Sequence, residues 1–229
     1  MQYLTIKDAI AEQIESGMLE PGQKLPSERV LAGAFSTTRI TLQEALNYLA
    51  LSGKVYKEER RGWFVSREAL IFNPAKELDI SHACKLNQCS YTTKYLDSKR
   101  ILAPKMVAEA LRLPPFSYVL MFSRLLMMEG RKVAVQYQYL PDALFPSLVK
   151  MDGDIDIVSI LKEQYFSDFQ SLDVKIGVIP ATEYESGILN ISSGSMLLDI
   201  TQSAINNSKE GYLLQVLRCC HDAIEIEIK

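Results

Sequence analysis

Cysteine and histidine are scarce in this chain of 229 residues, which has four cysteines and two histidines. The N-terminus is amphipathic and lacks the basic start, apolar block and small-residue cleavage site of a signal peptide. With no secretory segment, structural disulfides are disfavoured, and we expect reduced thiols. No uncharged apolar run approaches the roughly 18 residues that a membrane span needs. These absences predict a soluble, cytoplasmic protein.

The motifs of common enzyme classes are also missing. The sequence has no glycine-rich phosphate loop, no Gly-x-Ser-x-Gly elbow and no His-Glu-x-x-His motif. With only two histidines, a Ser-His-Asp arrangement has few ways to form. We therefore predict that the chain is not an enzyme and needs no cofactor.

Basic residues are concentrated in one part of a chain whose net charge is -3. Taken over the whole chain, this charge argues against nucleic-acid binding. Residues 23–67, however, hold eight basic residues against four acidic ones, a local excess of +4. That excess is modest, but it suits a surface that faces phosphate groups. The charge pattern therefore favours a DNA-binding part near the N-terminus.

Three helices are predicted before residue 53. The first spans 4–16, where isoleucines recur at four-residue spacing and form one apolar stripe. Ser27 is a suitable N-cap for a short second helix that ends near Ala34. Thr38 is a suitable N-cap for a third helix that reaches about Ser52. The third helix has one apolar face and one polar face, so we expect it to pack on the other two with its polar face exposed.

A basic hairpin follows the third helix. Short strands are predicted over 54–58 and 62–66, around the tip Glu59-Arg60-Arg61. Three helices and a hairpin in about 66 residues are typical of a winged helix-turn-helix. We therefore predict a DNA-binding domain over 1–66, followed by a linker over 67–78.

The remaining residues, 79–229, mix helix and strand patterns. This mixture predicts an α+β domain around a mainly antiparallel sheet. Helices are expected over 103–113, 156–166 and 183–189, and strands over 117–128, 133–140, 174–181, 196–206, 212–220 and 223–229.

The N-terminal segments 21–32, 39–49 and 61–65 read PGQKLPSERVLA, RITLQEALNYL and RGWFV. In order and spacing they resemble the DNA-binding domain of the GntR family of bacterial transcription regulators. The resemblance implies a winged helix-turn-helix that binds double-stranded operator DNA. The positions that it matches to DNA contacts are Arg29, Thr38, Arg39, Thr41 and Gly62.

The chemistry of these residues agrees with that implication. The Arg39 fork can read guanine or clamp phosphate, and a glycine such as Gly62 lets a wing tip approach the minor groove. We add Arg61 of the basic tip to the expected DNA-binding residues. Gln43 stands where the family usually has arginine. Glutamine can read adenine but carries no charge, so we expect weaker phosphate attraction, a shifted operator, or both.

The second domain resembles the effector-binding (UTRA) domain of the HutC branch of that family. The resemblance implies a fold like that of chorismate lyase, with a pocket for a small effector and no catalysis. It rests on segments spread along the domain, namely Glu129-Gly130, 133–136, 139–141, 159–161, 193–195, Leu197-Leu198, Arg218 and Asp222.

Four residues are the expected effector contacts. Many relatives carry arginine at the positions of both Arg124 and Leu126, and such a pair grips phosphate or carboxylate. Only Arg124 is present here, and a structural ion pair is its alternative role. Gln136 stands where relatives often have glutamate. Ser159 could hold an anion or simply cap a helix, and Arg218 could supply a second charge.

An alternative signal receiver is a metal or thiol site built from Cys84, Cys89, Cys219 and Cys220. The spacing of these cysteines does not match a standard zinc finger or ribbon. Buried, inert cysteines are the more common case, and we expect no metal.

The sequence thus predicts a ligand-responsive transcription regulator. We expect a repressor that binds its operator as a homodimer and is released by a small anionic or polar metabolite. The alternative is a regulator that senses metal or thiol chemistry through its cysteines.

Overall fold

Three helices form most of the N-terminal domain. In the computed structural model, which describes residues 2–145, 148, 157–164, 171–205 and 211–228, these helices are α1 (Gln2–Glu15), α2 (Glu28–Ala34) and α3 (Arg39–Leu51). The Ser27 and Thr38 hydroxyls accept hydrogen bonds from the backbone N–H groups three residues on, as predicted for N-caps. Both cap predictions are confirmed.

A two-stranded antiparallel hairpin, β1 (Val55–Glu58) and β2 (Gly62–Val65), completes this domain. The helices and the hairpin share one apolar core, because the inward face of each helix and the aromatic side of β2 point to the same centre. Its fully buried members include Ile6, Ile10, Leu42, Leu46, Leu49, Val55 and Val65. The winged helix-turn-helix prediction is confirmed.

The connecting segment that follows contains a strand. Strand β3 (Leu70–Phe72) pairs in parallel with β10 (Ile224–Ile226), near the other end of the chain. Leu70, Phe72 and Leu78 are buried. Sequence reasoning missed β3, because a three-residue strand has no readable alternation and its partner lies about 150 residues away. The segment is therefore anchored on the second domain.

A six-stranded sheet forms the centre of the second domain. The strand order is β4-β5-β6-β9-β8-β7, and every neighbouring pair is antiparallel. The α+β prediction with a mainly antiparallel sheet is confirmed. The strands are β4 (Tyr91–Leu102), β5 (Tyr118–Met128), β6 (Arg131–Pro141), β7 (Ser171–Pro180), β8 (Met196–Ile205) and β9 (Gly211–Cys220).

Four helices accompany the sheet. They are α4 (Ile80–Leu86), α5 (Lys105–Ala110), α6 (Ile157–Gln164) and α7 (Glu183–Leu189). Sequence analysis predicted α5, α6 and α7, but missed α4 and the edge strand β4. Strand β4 carries partly exposed residues on both of its faces, so it lacks the alternation that reveals a half-buried strand.

An arginine joins the two domains. The Arg131 guanidinium donates to both carboxylate oxygens of Asp222, at 2.7 and 2.9 Å, and its carbon lies 3.4 Å from the ring centroid of Tyr56 in the hairpin. Ser66 donates to the same carboxylate at 3.1 Å. We call Tyr56, Ser66, Arg131 and Asp222 the interdomain clamp. It ties the base of the hairpin to the sheet.

Candidate DNA interface and effector cavity

The polar face of α3 is open to solvent. Arg39, Ile40, Gln43 and Asn47 are exposed, and the apolar side chain of Ile40 is 79% exposed. The opposite face of the helix is buried in the domain core. An exposed helix with a basic residue in its first turn and polar residues beyond it has the shape and chemistry to enter a DNA major groove.

The N-terminus of α3 presents two hydroxyl groups. The Thr38 and Thr41 oxygens lie 3.0 Å apart, and the Thr41 N–H donates to Thr38 at 3.2 Å. Hydroxyls beside a helix N-terminus suit phosphate oxygens, because the backbone N–H groups there carry partial positive charge. Thr38, Arg39 and Thr41 are thus adjacent at the end of the helix that would meet the DNA backbone.

A carboxylate that sequence reasoning did not single out fixes this face. Glu28 of α2 accepts hydrogen bonds from Gln43 Nε2 at 2.8 Å and from Trp63 Nε1 at 3.0 Å, and Arg39 lies 3.9 Å away. It therefore connects α2, α3 and the hairpin through one charged group. Its position after an N-cap was visible in the sequence, but these partners lie up to 35 residues away.

The protonation state of Glu28 follows from those contacts. Partial burial by itself would raise the pKa, but the hydrogen bonds from Trp63 and Gln43 and the charges of Lys57 and Arg39 outweigh it, so the pKa of Glu28 is lowered. The side chain is thus a carboxylate at neutral pH. One Gln43 N–H is engaged with it, which orients the amide that the sequence suggested for adenine recognition.

The hairpin carries two of the residues predicted to meet DNA, Arg61 and Gly62. Arg61 pairs with Glu58 and lies 5.3 Å from the Phe64 ring centroid. Gly62 has a φ of 101°, which side chains rarely tolerate, so its backbone geometry requires glycine. Arg29 is exposed on α2. The predicted DNA residues therefore lie on α2, α3 and the hairpin, and all but the partly buried Thr41 and Gly62 are exposed.

Arg124 and Gln136 meet in a cavity of about 140 Å³ in the second domain. They are direct cross-strand partners on β5 and β6, and both are buried. Val158 of α6 also lines this space, and the neighbouring Ser159 is half-buried. We call it the effector cavity. Its lining residues are Leu78, Asp79, Ser81, Tyr91, Thr93, Arg124, Gln136, Gln138 and Val158.

The structure does not bring Arg218 to this cavity. Its strand neighbour Leu217 pairs with Gln136, so Arg218 projects from the other face of the sheet. There it donates to Glu185 at 2.6 Å and to Asp199 at 3.2 Å. Glu185 is fully buried, and these contacts explain why a charge is tolerated on that face.

A second cavity, of about 250 Å³, lies between the two domains beside the interdomain clamp. Its lining mixes acids and bases with apolar side chains, including Glu58, Arg67, Glu129 and Met128. Because neither sign of charge dominates, its chemistry does not select one class of ligand. The smaller effector cavity has the more specific chemistry, since it contains a buried arginine beside buried amides.

The cysteines have the character of inert thiols. All four are free, and burial raises the pKa of Cys84 to about 12 and that of Cys220 to about 11. Burial also raises the pKa values of Cys89 and Cys219. Thiols with raised pKa stay protonated at neutral pH and react slowly. Among the residues that the structure describes, no three cysteine, histidine or acidic side chains form a possible metal site.

The fold and the two sites define a class of protein: a winged helix-turn-helix joined to a domain with a buried polar cavity is a ligand-responsive transcription regulator. Comparison with known families assigns the chain more closely. The UTRA domain family matches residues 88–225, and the gntR family of bacterial regulatory proteins matches residues 2–65. The chain belongs to the GntR family, in its HutC subfamily, which confirms the resemblance. This is a family of regulators, not of enzymes.

The sequence identity to individual relatives is low. YurK, an uncharacterized HTH-type transcriptional regulator of Bacillus subtilis, is 27% identical over 214 residues, covering 91% of this chain and 86% of YurK. MngR, the mannosyl-D-glycerate transport/metabolism system repressor of Escherichia coli, is 24% identical over 197 residues, covering 86% and 82%. The crystal structure of PhnF from Mycobacterium smegmatis superposes with a TM-score of 0.65 over 98% of both chains, at 18% identity, and supports the fold.

Among the described helices, none combines the length and the apolar character that crossing a membrane requires.

Replacing Glu28 tests its role on the DNA-facing surface. In Glu28→Ala, Gln43, Trp63 and Arg39 lose their shared anchor, so we expect the ratio of operator to non-specific DNA affinity to fall about 10-fold. Fluorescence anisotropy with an operator selected from random DNA measures this ratio. Glu12→Ala is the matched control, because Glu12 is an exposed acid on α1 and its loss changes the charge equally. An equal effect of both variants would contradict an anchoring role.

Proposed function

We propose that the protein is a cytoplasmic, homodimeric repressor that binds an inverted-repeat operator and is released by a small hydroxylated anion held in the effector cavity. The observation that carries the DNA part is the exposed face of α3, with Arg39 and two hydroxyls at its N-terminus. The observation that carries the ligand part is the buried Arg124 beside amide groups.

Symmetry supports a dimer. A single α3 would contact only a few base pairs, which gives little specificity against a genome of competing sites. Two copies related by a two-fold axis would place two such helices about one turn of DNA, or roughly 34 Å, apart. An inverted-repeat operator is the DNA counterpart of that arrangement.

The cavity supports an anionic ligand with hydroxyl groups. Buried arginine recognises carboxylate or phosphate through paired hydrogen bonds. The Oε1 atom of Gln138, which is buried in the same lining, has no hydrogen-bond partner among the described residues and would accept a hydroxyl proton from a ligand. MngR is the repressor of a mannosyl-D-glycerate transport/metabolism system, and mannosyl-D-glycerate is a hydroxylated carboxylate of the chemistry proposed here.

The release follows from linkage between the two sites. A ligand that lowers operator affinity must itself bind less tightly to the DNA-bound protein, by the same factor. The connecting segment and the interdomain clamp are the structural links through which such a difference would act. In this proposal Arg218 has a structural role, since it pairs with Glu185 and Asp199 outside the cavity.

Replacing Arg39 tests the DNA interface. Arg39→Ala removes a charged fork from the first turn of α3, so operator affinity should fall about 10- to 100-fold and the salt dependence should weaken by about one phosphate contact. Anisotropy titrations at several salt concentrations give both quantities. Lys105→Ala is the control, because it removes an exposed charge on α5. If the Arg39 and Lys105 variants bind alike, α3 is not the DNA-reading element.

Replacing Arg124 tests the effector cavity. Arg124→Met keeps most of the side-chain volume but removes the charge, so the protein should bind operator normally and lose ligand-induced release. We would measure the Tm and operator release with mannosyl-D-glycerate, D-glycerate and glycerol 3-phosphate, because a ligand of the folded state raises the Tm. Lys99→Met on the exposed edge strand β4 is the control. Release of the Arg124 variant at wild-type ligand concentrations would refute this site.

A further inference from the structure

Four buried glutamines cross the middle of the sheet. Gln136 and Gln138 lie on β6, Gln202 on β8 and Gln215 on β9, and none is more than 6% exposed. Gln215 is the centre of the group, since its Oε1 accepts from Gln136 at 2.8 Å and from Gln138 at 2.9 Å. We call these four residues the glutamine chain. Burying four amide side chains costs folding free energy unless their polar atoms are hydrogen-bonded.

The hydrogen bonds of the glutamine chain are donated in one direction. Gln202 Nε2 donates to the backbone carbonyls of Pro74 and Glu77 at 2.8 and 2.7 Å, and carbonyls only accept, so this amide can have one orientation. Its Oε1 then accepts from Gln215 Nε2 at 3.0 Å, and Gln215 also donates to the Leu78 carbonyl at 2.8 Å. Each of the hydrogen bonds described here is therefore donated in the direction from β6 towards the connecting segment.

One end of the glutamine chain is the effector cavity. Gln136 and Gln138 line the cavity together with Arg124. The buried Oε1 of Gln138, which has no partner among the described residues, is the acceptor at this end. A hydroxyl donor on a ligand would polarise the Gln138 amide and strengthen the hydrogen bond that it donates to Gln215.

The other end holds the segment that leads from the DNA-binding domain. The glutamine chain donates hydrogen bonds to three of the five backbone carbonyls between residues 74 and 78. Asp79, the N-cap of α4, follows directly. Upstream, the same segment is fixed by the pairing of β3 with β10. These bonds therefore restrain the part of the connecting segment for which no strand pairing is described.

We propose that the glutamine chain transmits occupancy of the effector cavity to residues 73–77, which do not line the cavity, with Gln215 and Gln202 as positioning residues. A ligand that completes the Gln138 acceptor tightens the chain and restrains the segment, which biases the DNA-binding domains towards one arrangement. This inference rests on the proposed role of the cavity as the effector site. The structural coupling between β6 and the connecting segment does not depend on a ligand, so it can be measured in the free protein.

Hydrogen exchange of the free protein tests the coupling. Gln202→Met removes the direct bonds to Pro74 and Glu77, so exchange of the amides in 73–77 should rise about 5- to 10-fold. Gln138→Met acts only through Gln215 and should raise it about 2- to 5-fold. Val158→Ala, in the wall of the same cavity but outside the chain, is the control. If Gln138→Met raises exchange no more than Val158→Ala does, the proposal is wrong.

A ligand measurement separates this inference from the proposed function. With glycerol 3-phosphate, the wild type should lose operator affinity, and Gln202→Met should bind the same compound equally well but lose at least about two-thirds of that response. If Gln202→Met loses as much operator affinity as the wild type does, the glutamine chain does not transmit the signal, although the cavity can still be the effector site. If the wild type ignores glycerol 3-phosphate, the ligand chemistry is wrong, and the exchange experiment still decides on the chain.

Discussion

An ion pair joins the two domains, because the Arg131 guanidinium is held between the Asp222 carboxylate and the Tyr56 ring. Hydrogen bonds from the Glu59 N–H to the Asn190 carbonyl at 2.7 Å and from Ser192 to Glu59 at 3.2 Å accompany it. Burial alone would lower the pKa of Arg131, but the Asp222 carboxylate outweighs it and raises that pKa, so the pair stays ionised. Removing one partner of such a buried pair typically costs about 3–5 kcal/mol. Because Tyr56 belongs to the hairpin, Arg131 to β6 and Asp222 to the turn after β9, this contact helps to fix the DNA-binding domain on the effector domain.

Charged and polar groups with several partners organise both sites. Glu28 joins the two helices of the helix-turn-helix to the hairpin, so the exposed face of α3 has a defined shape before it meets DNA. Gln215 has the equivalent position in the sheet, between the effector cavity and the connecting segment. In each case one side chain joins at least three elements, its own included, which favours a single arrangement over several. A regulator needs this order, because a signal is carried only between well-defined states.

The sequence predicted the features that depend on neighbouring residues, but not the contacts between residues that are distant in the sequence. The caps at Ser27 and Thr38 and the apolar stripe of α1 depend on residues within a few positions, and the winged helix-turn-helix followed from them. The partners of Glu28, Arg218 and Gln215 lie between 11 and 137 residues away, and no local sequence pattern identifies them. Arg218 shows the difference: a lone arginine on a strand suggests a ligand contact, whereas strand register places it against Glu185 on the other face.

The most direct test of this account is whether the two domains tumble together. Backbone 15N relaxation gives a rotational correlation time for the amides of residues 2–65 and another for those of the sheet. We predict equal correlation times in the wild type, and a shorter one for the DNA-binding domain in Asp222→Asn, where the clamp is broken. A DNA-binding domain that already tumbles faster than the sheet in the wild type would contradict the account, because no signal from the cavity could then fix its position.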